Sequence, residues 1–299
     1  MDQPLIFCGS SHPELGEEIC RFLNVPNGKI SLSRFPDGEV AVEILENVHG
    51  RNVYVVQTLA GDPNNYLIEL LIIMDALKRA SAKKIVPIVP YFAYSRQDRK
   101  DRCGEPITAR LVADLLSAAG ADQLITLDLH AAQIEGFFNI PVTHIHCQEL
   151  LAAASKQYLE QPAIIVGPDI GSIKIAEKFA RALSLEMAVI EKQRKSSSLV
   201  DMRLIGNVKD RNVLIVDDMC STGHTMIRAA LLCQKEGARE INCAFTHPIF
   251  SAQAVEEMSA APIKHLIFAN TIPTNDRALG FKNGHCISVA GLIAQSIER

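Results

Sequence analysis

The tightest constraint on the fold is the run Val213-Leu214-Ile215-Val216, four β-favouring apolar residues that end on Asp217-Asp218. An unbroken apolar strand offers no polar face to water, so both faces are buried, as in a parallel sheet covered by helices. The run gives way to Met219-Cys220-Ser221-Thr222-Gly223-His224-Thr225-Met226 and an amphipathic stretch that stops at Gly237. It reads as strand, loop, helix. At such a junction unpaired N–H groups and the positive end of the helix dipole converge, and the hydroxyls of Ser221, Thr222 and Thr225 add donors, so the spot suits a phosphate. Two adjacent carboxylates suit vicinal hydroxyls. The stretch therefore describes a sugar phosphate, with the diol on Asp217 and Asp218 and the phosphate on residues 221–225. Ordinary capping explains one or two of these residues, but not a doubled Asp followed by three hydroxyls and a Gly.

The same alternation recurs along the chain. Leu5–Cys8, Val53–Gln57, Ile85–Val89 and Leu124–Leu127 read as strands, and Pro13–Leu23, residues 64–80 and Ile107–Ala119 as helices. Past residue 146 the scheme restarts with helix 147–158, strand Ala163–Val166, helix 171–183 and strand Met187–Ile190. The Val213 unit, Ile241–Phe245, Leu266–Ala269 and a closing helix from about Val289 follow. Two similar α/β halves fit this better than one sheet. Each is expected to be a mostly parallel sheet flanked by helices, with ligands at the carboxyl ends of the strands. The expected domains are 1–146, with helix 289–299 as a candidate addition to it, and 147–288. No low-complexity linker separates them.

At 299 residues and 48% apolar, the chain has ample material for two cores, and a net charge of −4 excludes a nucleic-acid binder held by bulk electrostatics. The eight cysteines show neither a C-x-x-C pair nor a disulfide framework. The start, Met1-Asp2-Gln3-Pro4, lacks a basic leader, and the greasiest stretch, Leu67–Leu77, is broken by Glu69 and Asp75. A cytoplasmic protein with no membrane or nucleic-acid partner is expected.

Five other stretches carry chemistry. Arg34-Phe35-Pro36-Asp37-Gly38-Glu39 is a Pro-Asp-Gly turn of hairpin type. Pro90–Arg102 follows a strand and sets three aromatics before Arg96, Arg99, Lys100 and Arg102, a platform for a purine and its phosphates. His130 and Asp169 lie at strand ends, where together they suit Mg²⁺ that keeps most of its water and nucleotide ligands. Glu191–Ser198 is basic and serine-rich, the composition of a mobile loop whose Lys192 and Arg194 stabilise charge developing on a polyphosphate. His144-x-His146-Cys147 also has metal-like spacing, but without a Cys or His partner nearby a zinc site is set aside.

The D-D-x-x-S-T-G pattern is similar to the ribose-phosphate loop of the type I phosphoribosyltransferase fold. The whole set resembles one family, ribose-phosphate pyrophosphokinase, through F-P-D-G-E at 35–39, P-Y-F-A-Y-S-R-Q-D-R-K at 90–100, G-E-P-I-T-A-R at 104–110, D-L-H-A at 128–131, K-x-R at 192–194, V-D-D at 216–218 and N-T-I-P at 270–273. The resemblance implies two tandem type I phosphoribosyltransferase-like domains. It also implies Mg²⁺-dependent transfer of the diphosphoryl group of ATP to the 1-hydroxyl of ribose 5-phosphate.

By the same resemblance, Phe35, Asp37, Gly38 and Glu39 form an adenine-binding turn that reaches a neighbouring subunit of a homo-oligomer, and Arg96 and Gln97 complete the ATP site. His130 and Asp169 match Mg²⁺ positions, Lys192 the catalytic lysine and Arg194 its mobile-loop partner. Asp217 and Asp218 match the ribose carboxylates, and Ser221, Thr222, Gly223, His224 and Thr225 the 5-phosphate loop. The chain departs from the bacterial form at this loop, which usually begins with Asp and has Gly in place of His224. A side chain at 224 crowds the turn if the backbone there needs positive φ, or else contacts phosphate. Ile170 departs likewise in the metal loop. The alternatives are a non-catalytic regulatory subunit of a synthetase and a nucleobase phosphoribosyltransferase. The latter needs only one domain and no adenine platform.

Overall fold

The structure, a computed structural model, describes residues 3–194, 200–251, 253–273 and 281–298; the side chains of residues 192–194, 200 and 201 lie outside the description. The chain divides into two units, one of Met1–His146, Thr271–Pro273 and Ser288–Arg299, the other of Cys147–Asn270 and Thr274–Ile287.

In chain order the first unit runs β1 (Leu5–Cys8), α1 (Pro13–Leu23), β2 (Ile30–Arg34), β3 (Val40–Ile44), β4 (Asn52–Val56), α2 (Pro63–Arg79), β5 (Lys84–Val89), α3 (Thr108–Ala119), β6 (Leu124–Leu127) and β7 (Val142–Ile145). Five of these strands form a parallel sheet in the order β1-β4-β5-β6-β7, while β2 and β3 make an antiparallel hairpin that pairs Arg34 with Val40 at its tip. The continuous apolar runs behave as their composition demands, since β1 and β6 are buried at every residue. Helix α1 shows how the local sequence sets its ends. Pro13 occupies the first turn, the His12 ring accepts the Leu15 N–H at 3.4 Å, and Asn24 stops the helix with φ 52°. Its inward stripe includes Leu15 and Ile19, both fully buried, each contributing about 1.5–3 kcal/mol of burial.

The second unit runs α4 (Gln148–Ser155), β8 (Ala163–Gly167), α5 (Ile173–Leu183), β9 (Met187–Arg194), β10 (Val200–Ile205), β11 (Asn212–Cys220), α6 (His224–Lys235), β12 (Ile241–Pro248), α7 (Ala254–Ala260), β13 (His265–Ala269) and β14 (Gly284–Ile287). The last helix, α8 (Ala290–Glu298), belongs to the first unit and packs on α1. The described strands of the second unit form one sheet, β10-β9-β8-β11-β12-β13-β14, in which only β10 runs antiparallel to its neighbour. Phe245 and Phe268 stack at 5.9 Å in its core.

The sheet order fixes where a ligand can sit. From β8 the chain goes to β9 on one side, then returns to β11 on the other side and continues outward. This reversal opens a crevice at the carboxyl ends of β8 and β11, the place where open α/β sheets bind ligands. In the first unit the order β1-β4-β5-β6-β7 runs one way from the edge strand β1, and the hairpin β2–β3 lies between β1 and β4 in sequence.

Several boundaries differ from the sequence reading. The helix expected over 147–158 is α-helical only through Ser155 and ends in a 3₁₀ turn, Lys156–Tyr158, while a 3₁₀ turn at Ile170–Ser172 precedes α5. The first part of the loop expected over Glu191–Ser198 is strand, because β9 continues to Arg194 and pairs with β10, Lys192 opposite Met202; residues 195–198 lie outside the described ones. Pairing across a hairpin holds polar residues in strand geometry that their own pattern does not suggest. Strand β7 was equally hard to read, being a partly buried edge without strict alternation.

Candidate active site

In the second unit, the end of β8 delivers Asp169 and the end of β11 delivers Asp217 and Asp218. Asp169 caps the 3₁₀ turn before α5: its Oδ1 accepts the Ser172 N–H at 3.2 Å, and the Ser172 hydroxyl donates to its carbonyl at 2.7 Å. Strand β11 is longer than its apolar core and pairs through Cys220 with Pro248, so both aspartates are part of the strand. Asp218 is buried, and its N–H donates to Asp217 Oδ1 at 3.0 Å. Desolvation, and then the negative charges of Asp218 and Asp169, hold the Asp217 carboxyl well above the usual carboxylate range. Three carboxylates therefore act on one another with excess negative charge. Their hard oxygen donors fit a divalent cation such as Mg²⁺, or hydroxyl donors of a sugar.

Ser221, Thr222, Gly223, His224 and Thr225 join β11 to α6. Gly223 is the N-cap and takes φ 79°, while His224 is the first helical residue. The positive φ therefore falls on the glycine, and the side chain at 224 does not crowd the turn. The ring of His224 turns to α7, where its Nε2 lies 3.0 Å from Glu257 Oε2. The first N–H groups of α6 have no partners within the helix and are presented beside the loop.

The preceding residues lean on the segment that leads to α7. Phe250 and Ser251 donate backbone N–H groups to the carbonyls of Cys220 and Ser221 at 3.1 and 2.9 Å. Met258 packs so closely that a Cβ on Gly223 would come within 2.7 Å of it. The Cys220 thiol, 3.4 Å from the Met258 sulfur, is pushed up to about 12 by burial and by Asp217, which makes it an inert packing group.

In the first unit, Phe35, Asp37, Gly38 and Glu39 form the exposed tip of the β2–β3 hairpin. Phe35 N–H donates to Glu39 O at 2.9 Å, Gly38 N–H to Phe35 O at 2.8 Å, and Gly38 has φ 95°. Phe35 is 55% exposed, an aromatic ring presented outward by a tight turn. Arg96 and Gln97 are also exposed on the loop after β5, held where Gln97 N–H meets Tyr94 O at 2.8 Å and Gln97 O accepts Ala109 N–H at 3.2 Å. The aromatic platform read from this stretch is smaller than expected. Tyr91 and Phe92 are buried, with Phe92 edge-on to Phe138 at 5.8 Å, and only Tyr94 is partly open. His130 is exposed directly after the buried pair Asp128-Leu129. Lys192 and Arg194 lie on β9, and their side chains fall outside the described ones.

Sequence reasoning missed Glu257 and Met258, which act on the loop from about 30 residues downstream in the chain and bear no local signal. It also missed the partner of the His144-x-His146 pair. Asp128 is brought beside both rings by the pairing of β6 with β7. A cue for Glu69 did exist, as a carboxylate inside an apolar helix, and it is buried at 4% exposure beneath the ends of β1 and β4.

Among the described residues no helix is long and apolar enough to cross a membrane. The profile of the N-terminal domain of ribose phosphate pyrophosphokinase matches residues 4–120, and that of the phosphoribosyl transferase domain matches residues 134–270. The ribose-phosphate pyrophosphokinase of Clostridium perfringens is 44% identical over 98% of this chain and 93% of its own length. That of Wolinella succinogenes is 43% identical over 98% and 94%. The crystal structure of phosphoribosylpyrophosphate synthetase from Mycobacterium smegmatis superposes with a TM-score of 0.94 at 38% identity, covering 99% of this chain and 98% of that one. With similarity at this level running from end to end, the chain belongs to the ribose-phosphate pyrophosphokinase family.

Proposed function

We propose that the chain is a ribose-phosphate diphosphokinase, a cytoplasmic enzyme that moves the β,γ-diphosphoryl group of ATP to the 1-hydroxyl of ribose 5-phosphate. The products are 5-phosphoribosyl 1-diphosphate and AMP, and the reaction feeds nucleotide biosynthesis. The observation that carries this reading is the carboxylate pair Asp217 and Asp218 followed at once by the helix start capped by Gly223. That is the pairing of groups a sugar phosphate requires. The cysteines, none of them in a disulfide, agree with a reducing compartment.

Residues 147–288 form the sugar-phosphate domain. Asp217 and Asp218 accept hydrogen bonds from the ribose diol, and Ser221, Thr222, Gly223, His224 and Thr225 surround the 5-phosphate with main-chain N–H groups and hydroxyls. Residues 1–146, with helix 289–299, form the ATP domain. Arg96 and Gln97 hold the nucleotide, and Phe35, Asp37, Gly38 and Glu39 complete the adenine site of a neighbouring copy in a homo-oligomer. His130 and Asp169 hold Mg²⁺, which when bound neutralises and orients the polyphosphate.

The 1-hydroxyl oxygen attacks the β-phosphorus as the bond to the α-phosphate oxygen breaks, and AMP departs. Lys192 and Arg194 stabilise the charge that gathers on the transferring phosphoryl oxygens, and fixed positioning supplies much of the remaining acceleration.

The test is formation of AMP and 5-phosphoribosyl 1-diphosphate from ATP, Mg²⁺ and ribose 5-phosphate. Wild type is expected to turn over and Asp217→Ala/Asp218→Ala to lose the product. Nucleotide bound by wild type without turnover would defeat the proposal. Lys192→Ala should reduce turnover far more than ribose 5-phosphate binding; an equal loss of both removes its role in the transition state.

A further inference from the structure

The His-x-His pair at 144 and 146 has no part in the reaction above. With Asp128 it forms a cluster whose candidate ligand atoms all lie within 4.8 Å of one another, a spacing one cation could bridge. Both nitrogens of His144 are already engaged, however. Its Nε2 accepts the Leu129 backbone N–H at 2.9 Å, and its Nδ1 lies 2.6 Å from Glu135 Oε1. A backbone N–H only donates, so Nε2 carries the lone pair and Nδ1 carries the proton given to Glu135. That lone pair points at an amide, which makes the cluster a brace and not a cation cage.

The brace acts on a strained turn. Asp128 has φ 34°, a left-handed value that costs a non-glycine residue about 1–3 kcal/mol and persists only where its surroundings over-determine it. Here the surroundings do. Asp128 N–H donates to Ile145 O at 3.0 Å, Leu129 N–H to His144 Nε2 at 2.9 Å, and His146 Nδ1 lies 3.3 Å from Asp128 Oδ1. Consecutive amides of the turn are thus held by consecutive residues of β7, and Glu135, on the 3₁₀ turn Ala132–Phe137, backs the imidazole from its other side. The next residue along the turn is the exposed His130.

We infer that His144, oriented by Glu135, is a positioning residue that fixes the Asp128-Leu129-His130 turn and so presets His130 for Mg²⁺. The inference rests on the assignment of His130 to Mg²⁺ made above. A ligand on a preset turn loses less freedom on binding than one on a loose loop, so the brace shows itself in metal affinity. The outer groups that orient a metal's ligands typically alter its affinity by about 10–100-fold.

The test uses the full-length protein with Mn²⁺ as probe, followed by electron paramagnetic resonance in the presence of α,β-methylene-ATP, whose α–β link cannot be cleaved. His144→Phe and Glu135→Ala are expected to weaken Mn²⁺ by about tenfold or more. In turnover the Mg²⁺ activation constant should rise by more than kcat at saturating Mg²⁺ falls. Nitrogen-15 NMR of wild type should show the His144 tautomer protonated at Nδ1. Proton on Nε2 would overturn the inference, as would unchanged Mn²⁺ affinity in His144→Phe. Should that variant fail to fold, Glu135→Ala decides on the same measurement, since its carboxylate is 43% exposed. His130→Ala separates the two layers. If it leaves Mn²⁺ affinity intact, the metal assignment itself falls; if it weakens Mn²⁺ while the brace variants do not, only the positioning role falls.

Discussion

The two units treat the carboxyl ends of neighbouring parallel strands in opposite ways. At the ends of β1 and β4 the polar groups satisfy one another. Glu69 accepts from Ser10 N–H, the Ser10 hydroxyl and the Gln57 amide at 2.7, 2.7 and 2.8 Å. The Gln57 carbonyl accepts from Ser11 N–H at 3.1 Å and from its hydroxyl at 2.7 Å, and the Thr58 hydroxyl bridges Tyr91 N–H and Thr271 O at 3.1 and 2.8 Å. Gly9 leaves just enough room, since a Cβ there would stand 2.2 Å from Gln57 Oε1. At the ends of β8 and β11 three carboxylates are left acting on each other, and Asp217 is held in a raised state. One crevice is closed by its own hydrogen bonds and contributes stability. The other keeps an electrostatic conflict that a ligand relieves, the usual condition of a functional site.

The largest effect is expected from removing that conflict. Asp217→Asn/Asp218→Asn should weaken ribose 5-phosphate binding by about 10²–10⁴-fold, since each charge-assisted hydrogen bond contributes about 1.5–3 kcal/mol. Calorimetric titration reads this directly, and a loss under tenfold would mean the diol lies elsewhere. The same change should stabilise the ligand-free protein at neutral pH. With the Asp217 pKa raised on folding, the native state holds the proton longer than the unfolded chain. Its contribution is therefore fully present below the ordinary carboxylate pKa and is lost as pH rises through the folded value. Thermal unfolding against pH should show this decline in wild type and a shallower one in Asp217→Asn.

Breaking the closed crevice should act on stability alone. Glu69→Ala strands three donors, and with water replacing some of the bonds the expected cost in urea unfolding is about 2–4 kcal/mol, from about 1–3 for each unsatisfied group. Ribose 5-phosphate affinity of the folded protein should not change; a parallel loss would mean the two crevices are not independent. Gly223→Ala comes next, because a side chain there meets both a left-handed φ of 79° and Met258. It should cost about 1–3 kcal/mol and weaken the sugar phosphate more than ATP. The smallest effect belongs to Glu257→Gln. The His224–Glu257 pair is 59% and 43% exposed, and such pairs contribute about 0–1 kcal/mol. A tenfold loss of ribose 5-phosphate affinity would instead make His224 a phosphate contact that Glu257 orients.

The residues of the open crevice were legible because their signal is local. A buried strand, a doubled Asp and a hydroxyl-rich turn before a helix sit within fourteen consecutive residues, and the physics of strand ends and helix starts acts over that range. The exposed hairpin tip at 35–39 was legible for the same reason, since Pro-Asp-Gly sets its own turn. The aromatic run at 91–94 misled in part. Composition shows that Tyr91 and Phe92 are apolar, but whether they face a purine or the core depends on how β5 and Phe138 pack.

What the sequence determined by itself, then, is the α/β alternation, the two-unit arrangement of elements and the identity of the groups at each strand end. Periodicity, burial and turn chemistry are properties of neighbouring residues, and these suffice for them. The tertiary structure alone decided which strand ends share a crevice, that one crevice is saturated and the other strained, that positive φ falls on Gly223 and not His224, and that Asp128, His144 and Glu135 meet. Those outcomes depend on sheet order and on contacts between residues far apart in the chain, 59 positions between Ser10 and Glu69 and 213 between Thr58 and Thr271. A hydrogen bond or an ion pair is blind to separation along the chain and acts only over separation in space.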